Sequence, residues 1–321
     1  MLKLLEIPFP KEIRLENTNA CNARCVICPR EKQTRKIGAI APRLVDRIVQ
    51  EAKGKGVRKF TVQGFGEPLL DKGFCRHVQQ VKQELNCRTF SVSNGSLITP
   101  ELARDMVTCG LDKIKISFYG INRQEYESVH HRLSFEQTVQ AVKWLIEAKR
   151  AARSKLKIRL QYIGRLWRFV PFALQWAAHA SVGYSTLHNY GGGRGYQKVR
   201  RSSGKCPILA QPILQVLWDG RVTPCCYDFN GTMILGDLRR QSIEDVWNGE
   251  PYRRLREAQE TEDFSEWTLC RSCDRRLRPW LKLSPPIKSQ PVAPAEALPI
   301  LPLEPSQGDE SRKEAPKRRA A

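Results

Sequence analysis

Cys21, Cys25 and Cys28 lie in the stretch TNACNARCVICPR with C-x3-C-x2-C spacing. Three thiolates this close together are a chelating set. They can hold three irons of a four-iron cluster and leave the fourth iron open to a small ligand. A structural zinc site calls for a fourth Cys or His close by, and none follows. Four further cysteines have related spacing. Cys206, Gly220 and Cys225 read as C-x13-G-x4-C, and Cys270 and Cys273 form a C-x2-C pair. Four protein ligands close either an iron–sulfur cluster or a zinc site. Cys226, next in the chain, is an alternative to Cys225 as the ligand. Cys75, Cys87 and Cys109 fall on or beside amphipathic stretches and read as buried small hydrophobes.

These thiols sit in a chain of 321 residues with 41% hydrophobic content, long enough to bury a large core without disulfides. No signal-peptide order and no apolar run of membrane-spanning length is present, so the expected location is the cytoplasm, with reduced cysteines and no membrane partner. The net charge is +21. From Lys282 to Ala321 there are seven Lys or Arg and five Asp or Glu, a net of +2, which leaves about +19 on the rest of the chain. Such a field favours an anionic substrate or an acidic partner. Nucleic acid is the weaker expectation, because no basic stretch alternates with aromatics.

The elements that must position the thiols alternate. β-rich runs occur at 13–17, 59–64, 88–95, 113–120, 157–164 and 184–191. Between them Leu44, Val45, Ile48, Val49 and Ala52 share one helical face, as do Val78, Val81 and Leu85, and Phe135, Val139, Val142 and Ile146. Repeated β-α units predict a parallel sheet whose ligands bind at the carboxyl ends of the strands. The first cysteine array follows the first run directly. After residue 192 a basic glycine-rich segment carries Arg194, Lys198, Arg200, Arg201 and Lys205, and Asp219-Gly220 then marks a tight hairpin turn. The expected division is residues 1–192, 193–281 and a tail from 282 to 321 that holds eight prolines and reads as disordered. His130-His131 reads as a surface-loop pair near the substrate entrance.

With these motifs the sequence resembles the radical S-adenosylmethionine (SAM) superfamily, whose C-x3-C-x2-C loop follows the first strand of a partial (β/α)6 barrel. The resemblance implies that Cys21, Cys25 and Cys28 bind a 4Fe-4S cluster whose open iron is chelated by SAM. It also implies reductive cleavage of SAM to methionine and a 5′-deoxyadenosyl radical that takes a hydrogen atom from substrate. The residue before the last of these cysteines is usually aromatic in this family and is Ile27 here. GFGEPLL is similar to the family's GGEP turn, with Phe65 in place of the first glycine, so that Gly66 and Glu67 would face the SAM amino group. Asn94 of SNG would meet the ribose or methionyl end. Ser117 and Gln161, on the fourth and fifth strands, are the further SAM-binding candidates.

The later cysteines look like the start of the SPASM module in its shortened twitch form, a small β-hairpin domain with one auxiliary 4Fe-4S cluster on Cys206, Cys225, Cys270 and Cys273. The activity this implies is a net oxidation. A substrate radical passes an electron to the auxiliary cluster, and an external flavodoxin- or ferredoxin-type donor reduces the first. The substrate is expected to be a small molecule, as in the aminoglycoside-pathway alcohol dehydrogenases of this type. The alternative is a ribosomally made peptide, although little chain precedes Cys21 to form a leader-binding domain. A reading of another class is a non-catalytic zinc- or nucleic-acid-binding protein, which would be colourless and indifferent to SAM.

Overall fold

The computed structural model describes residues 7–193 and 204–276. The charged positions 194, 198, 200 and 201 and the proline-rich tail lie outside the described residues. The strands are β1 (Glu12–Leu15), β2 (Arg24–Cys25), β3 (Lys59–Val62), β4 (Arg88–Ser93), β5 (Lys113–Ser117), β6 (His130–His131), β7 (Lys157–Ile163), β8 (Ser181–Ser185), β9 (Ile213–Val216), β10 (Arg221–Thr223) and β11 (Gly236–Asp237). The helices are α1 (Pro42–Ala52), α2 (Phe74–Leu85), α3 (Pro100–Thr108), α4 (Arg123–Val129), α5 (Phe135–Ala151), α6 (Leu166–Trp176), α7 (Ile243–Asn248), α8 (Glu250–Thr261) and α9 (Thr268–Arg271).

Six strands run parallel in the order β1-β3-β4-β5-β7-β8. Right-handed crossovers that always step to the next strand wind every helix onto the same face and curl the sheet into a partial barrel. The expected (β/α)6 architecture is present. Its sixth strand lies at 181–185, several residues ahead of the β-rich run at 184–191.

The alternation within the strands assigns the two faces. In β5, KIKIS, Ile114 and Ile116 are fully buried, as are Ile158 and Leu160 of β7 and Ile13 and Leu15 of β1. These apolar alternates pack with Val45, Ile48 and Val49 of α1, Val78 and Val81 of α2, and Val142 and Leu145 of α5 in one core. The polar alternates, Glu12, Arg14, Lys113, Lys115, Arg159 and Gln161 among them, therefore face the concave side, because successive side chains of a strand point to opposite faces. The expected helical faces at 44–52, 78–85 and 135–146 are the ones buried. Helix α6 buries Phe172 and Trp176 but leaves Leu166, Trp167, Val170 and Leu174 exposed.

The hairpin is where the turn residues place it. Strands β9 and β10 pair antiparallel around Gly220, whose φ of 86° is one that glycine adopts without strain. Strand β9 also pairs in parallel with β1, Glu12 opposite Ile213 and Arg14 opposite Gln215, so among the described residues one nine-stranded sheet runs from β11 to β8. The auxiliary module thus extends the barrel's first edge. A buried ion pair reinforces the junction. Arg35 donates to both carboxylate oxygens of Glu16, at 2.7 and 2.9 Å, and to the carbonyl of Phe229, at 2.8 Å. No helix of the described residues is long and apolar enough to cross a membrane.

Removing one partner of a buried pair strands the other charge. Glu16→Gln is therefore expected to lower unfolding stability by about 3–5 kcal/mol, measured by denaturant titration.

Candidate active site

The first cysteine loop is held from three sides by short polar residues. Thr18 donates to the Gly38 carbonyl at 2.8 Å, and Asn19 accepts from the Gly38 N–H at 2.9 Å and donates to the Lys36 carbonyl at 2.9 Å. Asn22 donates to Ser96 at 2.9 Å and accepts from Asn94 at 2.9 Å. Beneath the loop, the Glu67 N–H donates to the Ala20 carbonyl at 2.7 Å. Gly66 fits there because it lacks a side chain: a Cβ would stand 2.3 Å from the Thr18 carbonyl oxygen and 2.5 Å from that of Ala20. Asn19 and Asn22 were not singled out by sequence, although Asn before and within the cysteine array is the residue type that caps and ties loops.

The three sulfurs lie within electrostatic reach of one another, each of Cys21 and Cys28 pushing Cys25 up. Burial raises Cys25 well above the ordinary thiol value and, with Glu67 close by, raises Cys21 to about 12. Thiols in such surroundings lose their protons to a bound cation. Ile27, at the position usually aromatic in the family, is buried in a small apolar cluster with Val129 and Leu187.

Glu67 and Asn94 are placed at the site, with their side chains turned to the protein. The buried Glu67 carboxylate accepts from Ser93 Oγ at 2.6 Å, the Asn94 N–H at 2.7 Å and the Leu69 N–H at 3.2 Å. Burial raises it to about 7 against those hydrogen bonds. It fastens the end of β4 to the GFGEP turn. Asn94 spends its amide on Asn22 and its carbonyl on Ser96. Ser117 and Gln161 are register partners across β5 and β7 at the carboxyl end of the concave face.

His130 departs from the expected surface position: it is buried, at 1% exposure. The reason is the two-residue strand β6, which pairs antiparallel with β2 and sets His130 opposite Cys25. Its ring stacks on Tyr119 at 4.7 Å. The Tyr119 N–H points at Nε2, 3.3 Å away, which leaves the proton on Nδ1, 3.2 Å from Cys25 Sγ. Burial lowers His130 to about 3, so the ring is neutral and donates to that sulfur. Nothing in the local sequence announces this contact, which depends on a pairing over 105 residues of chain.

At the second site, Cys206, Cys225, Cys270 and Cys273 line one cavity together with Leu209, Pro224 and Arg276. The sequence left Cys225 and Cys226 open. Cys225 lines the cavity, whereas Cys226 faces the barrel, 3.7 Å from Arg14 Nη1. Gln259 of α8 exchanges two hydrogen bonds with the Cys206 backbone, at 2.8 and 3.0 Å. The knuckle of Cys270 and Cys273 is tied to the barrel's end: Asn189 donates its N–H to Asp274 at 2.9 Å and its amide to the Ser272 carbonyl at 2.7 Å. Burial raises Cys270 and Cys273 to about 12 and Cys225 well above the ordinary thiol value. An all-sulfur donor set in a low-dielectric cavity fits an iron–sulfur cluster, and the three-sulfur loop fits one with an open iron. Phe65, in place of the family's glycine, lies between the sites. Its ring meets Tyr190 at 6.0 Å and Phe229 at 5.9 Å, and Tyr190 meets Tyr227 at 5.5 Å. Of the structural cysteines, Cys87 and Cys109 are buried as expected, and Cys75 is half-buried and hydrogen-bonded with Cys109.

The model of the radical SAM superfamily matches residues 15–156, and the model of the SPASM iron–sulfur cluster-binding domain matches residues 206–274. A probable GTP 3′,8-cyclase of Methanocaldococcus jannaschii is 25% identical over 138 residues, 43% of this chain and 46% of that protein. The chain thus spans about half the length of these cyclase relatives. The S-adenosyl-L-methionine-dependent 2-deoxy-scyllo-inosamine dehydrogenase of Niallia circulans is 21% identical over 267 residues, 82% of this chain and 92% of the relative. Among solved structures, BtrN in complex with AdoMet and 2-DOIA superposes with a TM-score of 0.61 at 19% identity, covering 82% of this chain and 92% of that one. SuiB of Streptococcus suis bound to precursor peptide SuiA superposes at 0.62 with 14% identity, covering 78% and 67%. At these identities the superpositions establish a shared fold.

The geometry separates the adjacent cysteines by direction. Cys225→Ser is expected to remove about half of the reconstituted iron, whereas Cys226→Ser keeps nearly all of it, as read by iron and sulfide analysis per chain.

Proposed function

We propose that this protein is a radical SAM oxidoreductase that dehydrogenates a small molecule. The observation that carries this reading is the cavity lined by Cys206, Cys225, Cys270 and Cys273, whose neighbour Cys226 reaches the concave face of the barrel. A four-cysteine site has no coordination position left for substrate and suits one-electron transfer. Cys21, Cys25 and Cys28 would hold the SAM-binding cluster. When bound, the two clusters supply reductive cleavage of SAM to methionine and a 5′-deoxyadenosyl radical at one end, and an electron acceptor at the other.

The chain's own residues orient this chemistry. Gly66 lets the GFGEP backbone press against the cysteine loop, and Glu67 locks that turn to β4. Neutral His130 donates a hydrogen bond from its Nδ1–H to Cys25 Sγ, and hydrogen bonds to a ligating sulfur tune a cluster's potential. Asn94, Ser117 and Gln161 form the rim offered to SAM, with Asn94 acting through its tie to the loop. Phe65, Tyr190 and Tyr227 make an apolar wall that keeps water from a radical formed between the sites.

The proposed division is a barrel through residue 192 and a cluster module over 193–281, supported by the spans of the two family models. An external flavodoxin- or ferredoxin-type donor fits a cluster that needs a low-potential electron. The reducing cytoplasm fits eleven free cysteines. A second reading, maturation of a ribosomally made peptide, is favoured by the exposed Leu166, Trp167, Val170 and Leu174 of α6, a surface on which a peptide partner could rest.

Anaerobic reconstitution followed by dithionite and SAM should yield 5′-deoxyadenosine, and the variant with alanine at positions 21, 25 and 28 should yield none. A protein that binds stoichiometric zinc and leaves SAM intact would overturn the reading.

A further inference from the structure

The concave face carries more positive charge than it can neutralise. Strands β5 and β7 set Lys113 opposite Lys157 and Lys115 opposite Arg159, and Arg14 of β1 reaches toward the same space. Among the described residues of the strand ends, Glu12 and Glu16 are the carboxylates on this side, and both are engaged. Glu12 accepts from Arg14 at 2.7 Å, lies 3.1 Å from Lys59 and accepts from Thr61 at 2.9 Å. Glu16 is held by Arg35. Among the described residues Lys113, Lys115 and Arg159 have no carboxylate partner.

The arrangement is built. The Arg159 guanidinium lies across Gly183 of β8, where a Cβ would stand 2.1 to 2.5 Å from three of its atoms, so the bare glycine lets it lie flat against the strand. Lys113 is braced over the Phe90 ring at 5.8 Å. Burial lowers Lys115, and Arg159, Lys113 and Arg14 lower it further against the opposing effect of Cys226, so the like charges feel one another. Holding half-buried cations together in a low-dielectric cleft costs free energy that a bound anion returns. A closed eight-stranded barrel fills its interior with apolar side chains, whereas this open six-stranded one carries charge there.

We propose that Lys115 and Arg159, with Arg14 and Lys113 beside them, bind an oxyanion of the substrate, a carboxylate or a phosphate. This names the substrate class for the site proposed above and rests on that reading. Lys115 and Arg159 lie two residues before Ser117 and Gln161 on their strands, a distance of about 6–7 Å. A substrate anchored at its oxyanion therefore holds a carbon that far up the barrel, level with the rim offered to SAM. Cys226, adjoining a cysteine of the second cavity, lies beside the anchor.

The test is calorimetric titration of the reconstituted full chain with inorganic phosphate and, separately, malonate, at low and moderate salt. The variants are Lys115→Gln, Arg159→Gln, the charge-preserving Lys115→Arg, and Lys143→Gln on the exposed side of α5. The expected result is a single site for one of the two anions, weakened about tenfold or more by each Gln substitution in the barrel and within about threefold of the parent in Lys115→Arg and Lys143→Gln. Phosphate binding assigns a phosphorylated substrate and malonate binding a carboxylated one. The inference is overturned if the parent binds neither anion, or if Lys143→Gln loses as much affinity as Lys115→Gln, which would mean adsorption to a basic surface. A parent that produces 5′-deoxyadenosine but binds neither anion loses this inference alone. A parent that produces none loses the reading beneath it.

Discussion

The approach of one bare glycine to two carbonyls organises this molecule. Gly66 presses against Thr18 and Ala20 at distances no Cβ tolerates, and the next residue then reaches both ways, its N–H to Ala20 and its carboxylate to the end of β4. Through that point the loops after β1, β3 and β4 become one rigid rim. Without it the three thiols would sit on a loop that closes no defined space. With it they are half-buried together, and Cys21 and Cys25 are raised well above the ordinary thiol value, which makes them poor nucleophiles and good ligands once a cation is present.

The second constraint is the shared sheet. Because β9 pairs with β1, the strand that leads into the first cysteine loop is fixed against the hairpin that presents Cys225. The Arg35–Glu16 pair and the Asn189–Asp274 exchange close the same junction from opposite sides. Electron transfer between two sites depends on fixed separation, and a continuous ladder fixes it more firmly than two domains joined by a linker. The adjacent residues Cys225 and Cys226 then point opposite ways from one backbone, one into the cavity and one toward Arg14.

What the sequence makes legible is what depends on local period and spacing. The Lys-Ile alternation of β5, the helical face of α1, the Asp219-Gly220 turn and the cysteine intervals all survive in the structure because each is set within a few residues. What it hides depends on distant partners. His130 is buried only because two residues pair with the cysteine loop, and the Glu67 carboxylate turns inward because Ser93 and Asn94 supply three hydrogen-bond donors' worth of neighbours with Leu69. The choice between Cys225 and Cys226 rests on side-chain direction at a hairpin exit. The net charge of +21 says nothing of the cations on the concave side, since Lys113 and Lys115 read alike whether they face water or a cleft.

On this reading the two cysteine sets carry separate clusters, and only one of them meets SAM. Electron paramagnetic resonance of the dithionite-reduced, reconstituted protein tests it directly, with spectra taken before and after SAM is added. Two overlapping signals of reduced four-iron clusters are expected, one of which shifts on adding SAM while the other keeps its shape. A single signal, or a spectrum that SAM leaves unchanged, would contradict it.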